Sequence, residues 1–378
     1  MRALGLMSGT SMDGIDVALL DTDGEAEVER GPAMSFPYPE ETRALLREAL
    51  AHARSIRDRR ERPGMLPVAE RAVTEMHAAA IAAFLRKTGI ARSAIDVIGF
   101  HGHTVLHRPE EYLSVQIGDG PLLAELTQVD VMYDLRAADL AAGGQGAPLV
   151  PVYHRALLGS RPERPIAVLN IGGIANVTFI GRNGALIAFD TGPGNALLDD
   201  FMVARAGAPC DHNGAVAARG QVDEELEHRL LSHPYFKALP PKSLDRLAFA
   251  PPLSGSSAAD ELWASLDRLC LEDGAATLAA FTASSVARAR EHFPEEPQLW
   301  VVSGGGRRNR TLMSMIAARV LNAVIPAEAA GLDGDSLEAE AWAYLAVRAQ
   351  KGLAITFPGT TGVPRPTNGG VLAKAPRG

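Results

Sequence analysis

The sequence predicts an α/β protein with two similar lobes, each built around a mixed sheet, and three observations carry this prediction. The chain has 378 residues, more than one hydrophobic core usually supports. Short apolar runs of strand length alternate with longer segments whose apolar residues recur every three or four positions. Two apolar runs joined by a small-residue turn and followed by a third run occur near residue 2 and again near residue 166, which indicates an internal repeat.

In the first half, the strand pattern predicts extended segments at 2–8, 14–20 and 33–38. Amphipathic periodicity then predicts helices at 41–60 and 68–89, before a buried strand at 96–105 and a helix near 151–159. We assign residues 1–150 to an N-terminal lobe that carries the first small-residue turn.

The second half begins with strands predicted at 166–171, 174–181 and 185–190, continues mainly as helices over 195–295, and returns to a buried strand at 297–306. A helix follows at 335–352, with Asp335 or Ser336 as its N-cap, and the Pro- and Gly-rich tail from 358 is predicted to be irregular. Residues 151–378 form the predicted C-terminal lobe, and helix 336–352 is a candidate to pack back on the N-terminal lobe.

Composition narrows the class of protein. Hydrophobic residues make up 47% of the chain and charged residues 22%, as in globular proteins, and no run approaches the roughly 18 apolar residues of a membrane span. The N-terminal segment lacks the pattern of a signal peptide. Cys210 and Cys270 have no metal-binding spacing, so a cytoplasmic protein is expected. The net charge of −8 and a single short basic run at 57–62, interpreted as a solvated helix face, argue against nucleic-acid binding.

Four loops rich in small residues follow apolar strands, at 8–14, 143–148, 171–176 and 303–309. Glycines let main-chain N–H groups approach phosphate oxygens, and the hydroxyls of Ser8, Thr10 and Ser11 add donors. Neither a P-loop nor a dinucleotide fingerprint is present in the sequence. One such loop alone is a plain turn as readily as a phosphate site, but four at strand ends favour phosphate binding.

Three aspartates stand out. Asp190 ends a strand before the turn "TGPGN", where a carboxylate can take a proton from a hydroxyl or water, although Asp also accepts hydrogen bonds in ordinary turns. Asp13 and Asp16 flank the first turn and suit a hydrated Mg²⁺. Asp13 precedes Gly14, however, and Asp-Gly is a common turn pair.

Other polar residues allow more than one interpretation. The run "HGHTVLH" contains His101, His103 and His107, for which substrate contacts are a better interpretation than a metal site, since the sequence offers no clear further ligand. Arg136 suits a carboxylate or phosphate, or a surface ion pair. Glu338 lies three residues after Asp335, which is capping-box spacing.

Taken together, these motifs resemble the anhydro-N-acetylmuramic acid kinase family. The resemblance covers roughly residues 3–350 and is carried by "GLMSGTSMDGIDVAL", "GFHGHTVLH", "QIGD", "DLRAADLAAGGQGAPLVP", "LNIGGIANVT", "FDTGPGN", "PPKS", "SGGGRRN" and "GDSLEAEAWAYLAVR". It implies the two-lobed sugar kinase/Hsp70/actin fold, a ribonuclease H-like α/β architecture with a duplicated core. It also implies an ATP-dependent kinase that opens the 1,6-anhydro ring of 1,6-anhydro-N-acetylmuramic acid and gives N-acetylmuramic acid 6-phosphate in peptidoglycan recycling.

The resemblance also implies roles for residues. Asp190 is the implied general base. The implied ATP contacts are Gly9, Thr10, Ser11, Met12, Asp13, Gly14, Ile15, Asp16, Gly172, Gly173, Asn176, Gly304, Gly305, Gly306 and Asn309. The implied sugar contacts are Ser8, His101, Arg136, Gln145, Asn170 and Glu338. Asp13 and Asp16 would meet Mg²⁺ through water, and the family's tendency to dimerise implies a homodimer.

The chain departs from the family pattern at several positions. His103 stands where Gln is usual, Tyr133 and Leu135 replace Gly and Phe, and "LDRLAF" follows "PPKS" in place of the usual run. Two alternatives remain open at this stage: a related kinase of another amino sugar, and an actin- or Hsp70-like ATP switch. The switch interpretation is weakened because both halves of the sequence are used by the nucleotide fold.

Overall fold

The computed structural model describes residues 1–9, 12–244, 249 and 263–376. Contacts divide the chain into two compact units. The first comprises Met1–Ser160 together with Ser336–Gly378, and the second comprises Arg161–Asp335. The division falls at 160/161, near the predicted boundary at 150/151, and helix 336–352 and the tail group with the first unit.

The first unit contains a mixed sheet. Numbered along the whole chain, its strands are β1 (Arg2–Ser8), β2 (Gly14–Thr22), β3 (Val28–Pro37), β4 (Val97–Arg108), β5 (Leu113–Ile117), β6 (Val131–Tyr133) and β12 (Val371–Ala373). Their order is β12-β6-β4-β1-β2-β3, with β5 paired to β4. β1 is antiparallel to β2 and parallel to β4.

The helices of the first unit cover this sheet. They are α1 (Glu40–Ala53), α2 (Leu66–Thr88), α3 (Gly120–Thr127), α4 (Ala137–Ala141), α5 (Pro151–Leu158), α10 (Leu337–Gln350) and α11 (Pro358–Thr361). Apolar faces of α1 and α2 pack with the sheet in one core that includes Leu46, Val73, Phe84 and Phe100. Burying such faces supplies most of the stability of helices of this length.

The second unit repeats the strand plan of the first. Its strands are β7 (Ile166–Ile171), β8 (Ile174–Ile180), β9 (Leu186–Pro193), β10 (Leu299–Ser303) and β11 (Ala323–Pro326), in the order β11-β10-β7-β8-β9. Along this order the first two strand pairs are parallel and the last two are antiparallel hairpins. The strands β6-β4-β1-β2-β3 of the first unit pair in the same way. The predicted α/β class and the duplicated mixed-sheet core are therefore confirmed.

Among the described residues of the second unit are the helices α6 (Ala196–Ala206), α7 (Glu224–Leu231), α8 (Leu271–Arg288) and α9 (Arg310–Val320). Helix α8 is buried along most of its length and touches two apolar cores, one around Phe201 and Phe281 and the other around Val177 and Trp300. Its small residues, mainly alanine, let it lie close to its neighbours.

Glycines let α10 lie directly on the first sheet. A Cβ atom on Gly5 would stand 1.8 Å from the carbonyl oxygen of Ala339, and one on Gly99 would stand 2.0 Å from that of Trp342. Real Cβ atoms do not approach a main-chain oxygen so closely, so any side chain at these strand positions would push the helix away. The close approach fixes the position of α10 over β1 and β4.

Several local predictions are corrected. Helix α1 ends at Ala53, so the basic run 57–62 lies in a loop before Pro63 and not on a helix face. Within that run, Arg59 pairs with Asp134 and Arg62 pairs with Glu70. These arginines are therefore engaged in ion pairs.

The tail and the start of α10 also differ from prediction. The tail predicted to be irregular contributes strand β12, which pairs antiparallel with β6. Ser336 is the N-cap residue by position but makes no side-chain cap, because its hydroxyl donates to Glu340. Asp335 binds Arg307 and Arg308 instead of capping α10. No helix in the described part of the chain is long and apolar enough to cross a membrane.

Candidate active site

The described part of the turn between β1 and β2 contains one residue in the left-handed region and one glycine that is sterically required. Met12 adopts a positive φ of 59° and its N–H donates to the carbonyl oxygen of Gly9 at 3.0 Å. A Cβ atom on Gly14 would lie 2.3 Å from the carbonyl oxygen of Phe36, so only glycine fits there. Thr10 and Ser11, two of the predicted ATP contacts, lie outside the described residues.

The neighbouring predicted residues differ in exposure. Asp13 is exposed and Asp16 is half-buried, where its carboxylate accepts a hydrogen bond from the Ser35 hydroxyl at 2.5 Å. Ile15 is buried in the apolar core at 1% exposure, so its side chain is not offered to a ligand. Among Asp13, Ile15 and Asp16, the side chains accessible to a ligand are therefore the two carboxylates.

Ser8, at the end of β1, is held by two buried neighbours. Its hydroxyl oxygen lies 2.9 Å from the Tyr38 hydroxyl and 2.9 Å from Nδ1 of His103. Burial lowers the pKa of His103 to about 4 and raises that of Tyr38 to about 12, so both side chains are neutral near pH 7. His103 is thus a partner of Ser8, and the role of Tyr38 was not visible in the sequence.

His101 and Arg136 form a second polar group in the same unit. A guanidinium nitrogen of Arg136 donates to Nε2 of His101 at 3.2 Å, and another donates to the Gly146 carbonyl oxygen at 2.8 Å. Because a guanidinium can only donate, the histidine proton lies on Nδ1. Trp342 lies beside both, 5.3 Å from the guanidinium and 4.5 Å from the imidazole.

Carboxylates compensate the buried charge of Arg136. Burial lowers its pKa to about 10, and Glu338 and Asp139 oppose that shift. The structure thus brings the predicted residues Arg136 and Glu338 into electrostatic contact, and Glu338 is not the partner of a cap at Asp335.

Asp139 organises the loop that contains Gln145. Its carboxylate accepts hydrogen bonds from the Gly146 N–H and the Thr361 hydroxyl, both at 2.6 Å. The Gln145 N–H in turn donates to the Thr361 carbonyl oxygen at 2.8 Å. Asp139 was missed at the sequence level because its partner Thr361 lies more than 200 positions away.

In the second unit, the β7–β8 turn is tied to the start of α6. The carbonyl oxygens of Gly172 and Gly173 accept hydrogen bonds from the N–H groups of Asn195 and Gly194, at 2.8 and 2.9 Å. The Asn195 side chain donates to the Ile171 carbonyl oxygen at 3.2 Å. Gly173 is exposed, so this turn presents main-chain atoms as a phosphate loop requires.

The glycines after β10 meet the same turn. A Cβ atom on Gly304, whose φ is 73°, would lie 2.4 Å from the Asn170 side-chain oxygen, and one on Gly306 would lie 2.4 Å from Ile171. A Cβ atom on Gly305 would make only ordinary van der Waals contact, with the side-chain nitrogen of Asn195 nearest at 3.7 Å. The predicted residues of the third and fourth loops, 171–176 and 303–309, are therefore neighbours.

Asn309 has a structural function. It is 7% exposed, and its side-chain oxygen accepts the Leu312 N–H at 2.9 Å as the N-cap of α9. Asn309 is therefore both a predicted contact with ATP and the N-cap of α9. An asparagine directly before a helix is a common N-cap, so the sequence could have indicated this role.

Asp190 lies on β9, opposite Asn176 of β8. Its carboxylate oxygen Oδ2 accepts the Leu244 N–H at 2.8 Å, and its main-chain oxygen accepts the Tyr235 hydroxyl at 2.5 Å. Burial raises the pKa of Asp190 to about 7, although the Leu244 hydrogen bond acts in the opposite direction. A carboxyl group with a pKa near neutrality is suited to proton transfer.

The residues thus assemble by unit. The first turn, Ser8, His101, Arg136, Gln145 and Glu338 belong to the first unit, and Asn170, Asn176, Asp190 and the other glycine loops belong to the second. Among the described residues, no group of three or more His, Cys, Asp or Glu side chains could hold a metal ion. His101 and His103 bind Arg136 and Ser8 instead, so the histidine run is not supported as a metal centre.

Comparison with known proteins identifies the family. The family model described as anhydro-N-acetylmuramic acid kinase matches residues 1–375. Proteins named anhydro-N-acetylmuramic acid kinase from Azorhizobium caulinodans and Rhizobium etli are 54% and 51% identical to this chain. The first match covers 98% of this chain and 99% of the relative, and the second covers 98% of each.

Solved structures with weaker similarity include the ADPNP-bound activator of the 2-hydroxyisocaproyl-CoA dehydratase from Clostridium difficile, at 13% identity and a TM-score of 0.45, covering 93% of this chain and 96% of that one. A ROK family glucokinase from Streptomyces griseus with glucose and AMPPNP has 14% identity and a TM-score of 0.37, covering 91% and 99%. The full-length sequence match decides the assignment. This chain belongs to the anhydro-N-acetylmuramic acid kinase family.

Proposed function

We propose that this chain uses ATP and water to convert 1,6-anhydro-N-acetylmuramic acid into N-acetylmuramic acid 6-phosphate, with Asp190 as the general base. Family membership over residues 1–375 supports the kinase activity and its place in peptidoglycan recycling. The observation that supports the catalytic assignment is the Asp190 carboxyl, whose pKa burial raises to about 7 on β9, where Asp190 lies opposite Asn176 of β8.

The reaction balances with one base and one phosphoryl donor. Water adds to the anomeric carbon while Asp190 takes one of its protons. The bond from the anomeric carbon to the bridging oxygen breaks, and that oxygen keeps the electron pair and remains on C6. It then takes the γ-phosphoryl group of ATP, and ADP leaves.

Main-chain groups of the glycine loops are proposed to bind the nucleotide phosphates. The proposed phosphate contacts are Gly9 to Asp16, Gly172, Gly173 and Gly304 to Gly306, and Asn176 and Asn309 are further proposed contacts with ATP. Glycine at 14 and 304 is required by the close approach of neighbouring oxygens, and a backbone without a side chain can lie close to a phosphate.

Asp13 and Asp16 are the proposed acidic residues for Mg²⁺. An exposed and a half-buried carboxylate in one turn fit an ion that keeps most of its water and takes its other ligands from phosphate oxygens. Bound there, Mg²⁺ would neutralise charge on the phosphates of ATP.

Arg136 and Glu338 are proposed to bind the sugar, together with Ser8, His101, Gln145 and Asn170. The guanidinium of Arg136 is already oriented by His101, Gly146 and Trp342. A pre-oriented cation of this kind suits an anionic or hydroxyl-rich ligand, because little freedom is lost on binding. We further propose a homodimer in the cytoplasm, on family resemblance.

The proposal is tested by measuring ADP release with 1,6-anhydro-N-acetylmuramic acid, with N-acetylmuramic acid, and without sugar. We expect turnover only with the anhydro sugar, and a phosphomonoester product by ³¹P NMR. Turnover with the open sugar alone would indicate a different amino-sugar kinase, and sugar-independent ADP release would indicate an ATP switch.

Asp190→Asn tests the base. A general base contributes about 10² to 10⁴ in rate, so we expect kcat to fall by at least about a hundredfold. Asp267→Asn is the matched control, because the side chain of Asp267 in the same unit is 70% exposed. Wild-type kcat in Asp190→Asn would contradict the assignment.

A further inference from the structure

At Asp190, the outer edge of β9 is hydrogen-bonded to a segment that is not a strand. β9 is the last strand of its sheet, so β8 pairs with one side and no strand of the described residues pairs with the other. Alternate residues of an antiparallel strand direct their main-chain groups to opposite sides. At Asp190 both groups face the outer side, where the N–H donates to the Lys242 carbonyl oxygen at 3.0 Å and the carbonyl oxygen accepts the Tyr235 hydroxyl at 2.5 Å.

The same segment reaches the carboxylate. The Leu244 N–H donates to Oδ2 at 2.8 Å, and no described residue donates a hydrogen bond to Oδ1. Residues 235–244 therefore hold three atoms of Asp190 and leave one carboxylate oxygen for a water molecule.

Tyr235 is itself held firmly. It lies in the short helical turn Pro234–Lys237, and the next residue, Phe236, is 5% exposed and packs on Phe281 with ring centroids 5.7 Å apart. The Lys242 ammonium donates to the Tyr235 carbonyl oxygen at 3.3 Å and lies 4.8 Å from its ring. Burial raises the pKa of Tyr235, so its hydroxyl remains protonated and able to donate.

The other groups around Asp190 leave this interaction unopposed. Asn176, opposite it on β8, is uncharged. Tyr235, Lys237 and Lys242 are the titratable groups of residues 235–244, and the Lys242 ammonium lies against aromatic rings and the Tyr235 carbonyl. The orientation of the carboxylate therefore depends chiefly on the hydrogen bonds from the 235–244 segment.

We propose that Tyr235 is a positioning residue for Asp190 and that, with the main-chain N–H of Leu244, it directs Oδ1 towards the water molecule to be activated. The inference rests on the proposed function of Asp190 as base. It also gives the motif "PPKS" at 240–243 a purpose, since this segment brings the Lys242 carbonyl and the Leu244 N–H to the edge of β9.

Tyr235→Phe tests the hydroxyl, because the ring and its packing are retained. Losing one buried hydrogen bond, and with it the alignment of the base, is expected to lower kcat by about fivefold to tenfold. The KM values for the sugar and for ATP are expected to stay within about twofold. Tyr112→Phe is the matched control, because Tyr112 is 63% exposed in the first unit. A Tyr235→Phe enzyme with wild-type kcat would overturn the proposal.

Leu244→Pro tests the main-chain donor, and Leu244→Ala, which retains the N–H, separates it from the side chain. The hydrogen bond favours the ionised carboxylate, so its loss is expected to move the acid limb of the kcat–pH profile up by about one pH unit. Leu244→Ala is expected to leave that limb in place. Identical acid limbs in the two variants would overturn the role of the N–H, and Tyr235→Phe decides the proposal if Leu244→Pro does not fold.

The two levels of inference separate in these assays. If the Asp190→Asn enzyme is active, Asp190 is not the base, and Tyr235 then has no base to position. If Asp190→Asn is inactive but Tyr235→Phe has wild-type kinetics and a wild-type pH profile, the role of Asp190 as base stands and the positioning role of Tyr235 is rejected.

Discussion

Asp190→Asn is expected to stabilise the protein against unfolding in a pH-dependent way. In the folded state, burial raises the pKa of this carboxyl from 3.8 to about 7, so its ionised form is destabilised by the fold. The difference of about three units corresponds to about 4 kcal/mol. Because Asp190 is half-buried and water screens part of the effect, we expect about 2–4 kcal/mol.

The sign follows from proton linkage. Below about pH 4 the carboxyl is protonated in both states, and its contribution to stability is most favourable. As the pH rises from about 4 to about 7, the unfolded state ionises before the folded state does, and that contribution is lost. An asparagine does not titrate, so the free energy of unfolding of Asp190→Asn minus that of the wild type should rise across this window and level off above it.

Urea unfolding at a series of pH values from 4 to 8.5 measures this difference, with the fluorescence of Trp263 and Trp300 reporting on the second unit. All other titrations are common to the two proteins and cancel. A difference that stays constant across the series, or falls as the pH rises, would refute a desolvated carboxylate at this position. The same pKa predicts that wild-type kcat declines below about pH 7, as the base becomes protonated.

Three further outcomes are expected. Gly99→Ala should cost about 3 kcal/mol in chemical unfolding, because its Cβ would meet a main-chain oxygen at 2.0 Å, whereas Gly31→Ala would meet only flexible carbons of Leu19 and should cost less than about 1 kcal/mol. Arg136→Lys should raise the KM for the sugar at least about tenfold without changing that for ATP, because the single ammonium nitrogen cannot reproduce the planar fork whose two nitrogens reach Gly146 and His101; an unchanged sugar KM in steady-state kinetics would contradict this. His103→Gln should leave kcat within about twofold, since an amide can still hydrogen-bond the hydroxyl of Ser8, and a larger loss would mean that the imidazole itself is needed.

Much of the sheet architecture was predictable because it depends on the local pattern of apolar and small residues. Apolar runs separated by small-residue turns indicated the hairpins at 2–20 and 166–180, and their repetition predicted the duplicated sheet. The prediction that Asp190 ends its strand was wrong, because β9 continues to Pro193, and burial within the strand raises the pKa of Asp190. Helix ends were less certain, and α1 stops at Ala53 well before the predicted residue 60.

Long-range partners could not be predicted from one sequence. Tyr235 and Leu244 reach Asp190 from 45 and 54 positions away, and no periodicity marks a residue that closes a sheet edge. Strand β12 is only three residues long and lies in a Pro- and Gly-rich tail, so propensity disfavoured it and pairing with β6 decided its conformation.

The repeated strand order explains why the two units carry different chemistry on one frame. Asp16 is the third residue of β2 and faces Ser35 on β3, and Asn176 is the third residue of β8 and faces Asp190 on β9. In the first unit the carboxylate is on the central strand of the three and binds a serine hydroxyl. In the second it is on the edge strand, where a separate segment can cover it and raise its pKa. A carboxylate of the first kind is the proposed partner of a hydrated cation, whereas one of the second kind can accept and release a proton near pH 7. The proposed cation-binding carboxylate and the proposed base therefore occupy corresponding hairpins of the two units, one on the central strand of three and the other on the edge strand.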